Sequence, residues 1–153
     1  AELIRKAIEC PAPVRVVVNR EYAEGQSASL RAGLRGANPR AAAAAILLGD
    51  QPGVTKALID AMAAAFLAAG LPAARPVYAG PNGRRIPGHP VFLARRTWPE
   101  VEQLRGDEGA RALLRAHPEW LLEVAVAGEP PGDIDNLGRV PAVVKSLRLN
   151  LTR

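Results

Sequence analysis

Asp50 and Asp135 are the residues of this chain best suited to hold a divalent cation, since each closes or follows a segment that an open α/β sheet would end at the same edge. Magnesium commonly takes one or two carboxylates and completes its octahedron with water and substrate phosphates, so such a pair would hold a nucleotide's metal. Other readings stand beside this one. Asp50 lies in GDQPG, which also suits a strand-to-helix turn or a helix cap, and Asp133 competes with Asp135 in the turn-rich run AGEPPGDIDN.

Three further groups have binding chemistry. Gly25, Gln26, Ser27 and Ser29 open a helical stretch, where free amides and hydroxyls receive anionic ligand groups or simply cap the helix. His89 stands between Gly88 and Pro90 with Arg84 and Arg85 close by, either to meet an anionic substrate or to be solvated. Arg111 follows GDEGA at a helix start, where it would clamp a phosphate or pair with Asp107. Cys10 has no partner for a disulfide and no metal-ligand spacing, which fits an inert thiol in a reducing cytoplasm. Trp98 and Trp120 each lie beside a proline and read as packing anchors.

The elements that must position these groups alternate. AELIRKAIE reads as the later part of an amphipathic helix, and Val14 to Asn19 as a β-branched strand. Ser27 to Leu34 suits a helix closed by Gly36. Ala42 to Leu48 suits a fully buried strand that exits into GDQP. Val54 to Ala69 repeats apolar residues at helical spacing, with Thr55 as cap and Gly70 as stop. Ala74 to Ala79 is a short strand, Pro81 to Pro90 a polar loop suited to binding, and Val91 to Ala94 extended again. Two helical segments, Pro99 to Leu104 and Glu108 to Ala116, precede a strand from Leu121 to Val126. Leu137 to Arg153 carries little pattern and reads as helix first and a loose basic tail after, within residues 138–153. Alternating strands and helices imply a three-layer α/β sandwich with right-handed crossovers, the pieces around residues 74–94 making the sheet mixed.

With 153 residues, 48% of them hydrophobic and 23% charged, the chain suits one globular domain over residues 1–153. A formal charge of +5 and a pI near 10.1 favour anionic partners. The arginines are scattered, however, with no basic stripe and interleaved aromatics, which suits phosphates better than nucleic acid. No run of about eighteen apolar residues occurs, which excludes a membrane helix.

Taken together, EGQSASLRAGL, LLGDQPGVT, IPGHPVF, LRGDEGARALLRAHP and DIDN occur in the order and spacing of one family. Over roughly residues 14 to 136 the chain resembles the molybdenum cofactor cytidylyltransferases, within the molybdopterin nucleotidyltransferases. The resemblance implies a Rossmann-like nucleotidyltransferase fold with a mostly parallel mixed sheet. It implies transfer of CMP from CTP to the terminal phosphate of molybdopterin bearing molybdenum, with Mg2+ and release of pyrophosphate, in the cytoplasm and with a molybdoenzyme as the recipient. On it, Asp50 and Asp135 would be catalytic metal ligands, and Gly25, Gln26, Ser27 and Ser29 would approach the nucleotide. Gly88, His89 and Pro90 would face the molybdopterin, and Arg111 a substrate phosphate. Transfer of GMP from GTP, and a non-catalytic cofactor-binding module, are the alternatives.

Two departures from the family stand out. Its opening strand and glycine-rich loop, LAAGxSxRMGxxK, are not found here, so the first two strands of the sheet are expected to be missing; roughly fifty to sixty residues upstream of Ala1 would supply them. DNLGRV stands where the family usually reads DTPED, which keeps Asp135 but alters the helix start that follows.

Overall fold

The computed structural model describes residues 14–134, which separate into two compact units. One joins residues up to 44 with 95–118; the other joins 45–94 with the residues from 119 onward. The expectations for the N-terminal helix and for residues 137–153 lie outside the described residues.

In the first unit, a 3-10 turn at Tyr22–Glu24 leads into helix α1, Gln26–Arg35. Its buried residues are Ser27, Ala28, Arg31 and Leu34, the i, i+4, i+7 spacing of a single helical face. Residues 14–19 form no strand. Val14, Val17 and Val18 are exposed, and the Arg15 guanidinium donates to the Gly36 carbonyl at 3.1 Å. Strand preference of β-branched residues expresses fit to a pleated, half-buried surface, and no neighbouring strand supplies one among the described residues. The segment expected to be helical over Pro99–Leu104 is a single turn, α3 (Trp98–Val101), and α4 covers Ala110–Ala116. Arg95 stacks over the Trp98 ring, 4.6 Å from its centroid, so this tryptophan anchors through its π face.

The second unit holds most of the sheet. Helix α2 (Lys56–Ala69) starts where the Thr55 hydroxyl accepts from the Leu58 amide at 3.2 Å and stops at Gly70, in the left-handed region at φ 63°. Met62 and Phe66 form its buried stripe, and Phe66 packs against Phe92 with ring centroids 5.5 Å apart.

The strands are β1 (Ala43–Ile46), β2 (Ala73–Ala79), β3 (Arg85–Pro87), β4 (Val91–Ala94) and β5 (Leu121–Val126). The sheet is open and mixed, in the order β1-β4-β2-β3, with β5 also on β2. β5 runs parallel to β2 from Ala73↔Leu121 to Tyr78↔Val126. The opposite edge of β2 is shared by two antiparallel pieces, β4 facing Ala73 and Ala74, and β3 facing Val77 to Ala79. β1 is shorter than its apolar run and not fully buried: Ala45 is exposed and Leu47 is 44% exposed. Small alanines cover little, and β4 is its neighbour among the described strands. No helix among the described residues is long and apolar enough to cross a membrane.

Candidate active site

β1 feeds directly into the turn that carries Asp50. The Gln51 amide donates to the Leu48 carbonyl at 3.4 Å and the Val54 amide to the Gln51 carbonyl at 3.2 Å, which folds GDQPG back on itself ahead of α2. A second segment is tied to this turn at three points. The Ile134 amide donates to the Asp50 carbonyl at 2.9 Å, and Gln51 Nε2 donates to Asp133 Oδ1 at 2.7 Å. Gly53 lies so close to Pro131 that a Cβ there would sit 3.2 Å from the proline's own Cβ.

The main chain of Asp50 is thereby fixed while its side chain remains available. Asp50 is exposed, and no hydrogen bond or ion pair engages its carboxylate among the described residues. Asp133, the competing acid, is instead half-buried and occupied by Gln51. Asp135 lies outside the described residues. Gln51 Oε1 is buried without a partner among the described residues, an arrangement that costs about 1–3 kcal/mol when no water compensates.

No group of three or more His, Cys, Asp or Glu gathers among the described residues as a metal cage. An exposed, anchored carboxylate still fits a hard cation that takes one or two acids and keeps waters and phosphates for the rest of its shell.

The turn at the start of α1 is built differently. Gly25 has φ 98°, and a Cβ there would fall 2.5 Å from the Gly106 carbonyl carbon and 2.7 Å from Asp107 Oδ1. Close backbone approach, as well as conformation, therefore demands glycine at this position. The amides that open the helix are already taken: Ser27 N donates to the Gly106 carbonyl at 3.1 Å, and Gln26 N donates to Asp107 Oδ1 at 3.3 Å. The Ser27 hydroxyl accepts from Arg31 Nη1 at 3.3 Å, and the Ser29 hydroxyl accepts from Asn19 Nδ2 at 3.0 Å. EGQS and RGDEG, far apart in sequence, thus form one structural joint, with Arg111 exposed as the second residue of α4 beyond it.

Gly88, His89 and Pro90 form a bulge. With Pro87 opposite Val77 and Phe92 opposite Ala74, the four residues 88–91 face only Arg75 and Pro76. Pro76 explains its place. Its carbonyl accepts from the Gly88 amide at 3.0 Å, and the N–H that proline lacks would have pointed to the same side, so an even ladder has no donor there. A Cβ on Gly88 would meet the Tyr78 ring at 2.6 Å. Pro90 is fully buried and His89 half-buried. Arg85 donates to Glu123 Oε2 at 2.7 Å, so it is paired within the sheet, while Arg84 is exposed.

The structure therefore couples motifs in two pairs: the Asp50 turn with residues 131–134, and the Gly25–Ser27 turn with Gly106 and Asp107. Three organising residues escaped the reading of the sequence. Gln51 was visible only as part of GDQP. Arg31, 6% exposed, donates to the Leu104 carbonyl at 2.6 Å and to Glu24 Oε2 at 3.0 Å; its one local sign was the i, i+4 spacing from Ser27. Glu123 accepts from both Arg75 and Arg85, with no local signal at all.

The open mixed sheet is consistent with a Rossmann-like nucleotidyltransferase fold. The chain belongs to the family of the MobA-like NTP transferase domain, which matches residues 3–120. It is similar to Rv0371c from Mycobacterium tuberculosis H37Rv, at 28% identity and a TM-score of 0.74 over 94% of this chain and 70% of that one. A structure of Rv0371c in complex with manganese matches at 28% identity and a TM-score of 0.73, over 95% and 72% of the two chains. The Rv0371c homologue from Mycobacterium sp. strain JC1 matches at 28% identity and a TM-score of 0.67, over 82% of this chain, which spans 60% of its length. No curated protein matches the chain significantly.

Proposed function

We propose that this chain carries the catalytic acids of a cytidylyltransferase acting on molybdenum cofactor. In the reaction, an oxygen of the terminal phosphate of molybdopterin attacks the α-phosphorus of CTP, a new P–O–P link forms, and the bond to the β-phosphate breaks to release pyrophosphate. Such a transfer needs two anions held in line and the developing charge offset, and it needs no covalent nucleophile. Mg2+ would supply Lewis-acid charge stabilisation and a template for the triphosphate.

The chain's own share is to anchor the acids. Asp50 is the first ligand. Asp135 is assigned as the second because it directly follows Ile134, whose amide is bonded to the Asp50 carbonyl at 2.9 Å. That hydrogen bond is the observation that supports the reading, since it ties the Asp50 turn to the residue that precedes Asp135 in the chain. The manganese complex of the similar Rv0371c supports a divalent ion in this setting. Gly88, His89 and Pro90 are proposed to line the molybdopterin side, where the bulge departs from the sheet, and Arg111 to meet a substrate phosphate. Gly25 to Ser29 are proposed to act on the nucleotide through side chains and shape, because the amides of Gln26 and Ser27 are spent on residues 106 and 107.

Incubating the full-length protein with molybdenum cofactor, Mg2+ and either CTP or GTP tests this reading. Pyrophosphate release with CTP, and little with GTP, is expected. Exclusive use of GTP would overturn the choice of base, and cofactor binding without pyrophosphate release from either nucleotide would make the protein a binding module.

A further inference from the structure

We infer that Gln51 is a positioning residue, a latch on Asp133 that sets where the second acid-bearing segment stands and thereby tunes affinity for the divalent ion. The inference rests on the reading of Asp50 as a metal ligand. It starts from an asymmetry within the turn: the Asp50 side chain is accessible, while its neighbour Gln51 is turned inward with one amide atom on Asp133 and the other buried and unpartnered among the described residues.

The orientation of that amide follows from chemistry. An ionised carboxylate only accepts, so the amide must present Nε2 to Asp133 Oδ1, at 2.7 Å, and Oε1 is left to face the interior. A side chain turned inward onto the carboxylate of a distant segment is explained by what it holds. What it holds is the stretch from Pro131 to Ile134, whose remaining tie to the Asp50 turn on the main chain is the single Ile134 bond. Without the latch, one hydrogen bond and the Gly53–Pro131 contact would have to define the register of that stretch. Outer-shell partners that orient metal ligands typically change metal affinity by roughly 10–100-fold when removed.

Gln51→Ala and Asp133→Asn should therefore each weaken Mn2+ binding by about tenfold, read by electron paramagnetic resonance of free Mn2+ in titrations of the full-length protein without nucleotide. The decisive variant reverses the pair. Gln51→Glu combined with Asp133→Asn keeps the net charge and lets the asparagine donate to the new carboxylate, so affinity should return to within about twofold of wild type, a change of less than 0.5 kcal/mol. A merely structural role would lower the melting temperature of the single variants without this recovery. Single variants that bind Mn2+ like wild type, while Asp50→Asn abolishes binding, would overturn the latch and leave the metal site standing. Wild type that binds no Mn2+, or binding indifferent to Asp50→Asn, would overturn both.

Discussion

The two turns that lead into α1 and α2 differ in which of their groups remain available. At the Asp50 turn the Gln51 main chain bonds residues 48 and 54, the Asp50 carbonyl accepts from Ile134, and the carboxylate stays exposed. At Gly25–Ser27 the reverse holds: the amides of Gln26 and Ser27 are taken by Asp107 and Gly106, and the Ser27 hydroxyl accepts from Arg31 with its own O–H left to donate, so the backbone of this turn is occupied by the protein itself. A helix N-terminus attracts any acceptor, including one from its own chain, whereas an accessible acid on an anchored turn has a charge still to be neutralised.

The contrast breaks most clearly at Asp50. Asp50→Asn should lower nucleotidyl transfer by at least about a hundredfold, the scale for removing a group that stabilises transition-state charge, measured by pyrophosphate release. Its melting temperature should hardly move, because exposed substitutions usually stay within about 0.5 kcal/mol. On the α1 side the order inverts. Arg31→Ala should cost about 2–4 kcal/mol in denaturant unfolding, since it strips the Leu104 carbonyl and Glu24 of a buried charged donor. Gly25→Ala should cost about 1–3 kcal/mol through its positive φ and the collision with Gly106. Asp107→Ala should cost less, about 0.5–1 kcal/mol, because it removes one long cap bond of 3.3 Å. Stability losses at residues 25 and 107 with unchanged folding at Asp50 would sharpen the division; a collapse of folding in Asp50→Asn would erase it.

The smallest effect concerns Tyr78, a residue 3% exposed, whose phenol burial pushes above its ordinary pKa near 10. The folded state then holds this proton more tightly than the unfolded chain. The resulting stability is fully present below the unfolded pKa and is lost as pH rises through the folded one. Tyr78→Phe should flatten that loss as pH rises above about 10, read in urea unfolding midpoints.

How far the sequence could be read follows the range of the forces involved. Helix α2 was legible with its cap at Thr55 and stop at Gly70, because capping chemistry acts within a turn. β4 and β5 were legible from short apolar runs. Residues 14–19 were misread and β3 was hidden in a Gly- and Pro-rich loop, because a strand exists only when a partner does, and β3 is made by the far edge of β2. The same holds for the site. Asp50 could be picked out from its turn, but Gln51 on Asp133 joins segments no local pattern connects, and a buried Arg31 contradicts the usual exposure of arginine.

The central claim is that Asp50 and the segment after Ile134 serve one ion. A crystal of the full-length protein grown with Mn2+ and CTP tests it directly by anomalous scattering. The account predicts one manganese peak bound by the carboxylates of Asp50 and Asp135 and by the triphosphate. A peak bound to other residues, or these two acids on separate sides of the protein, would contradict it.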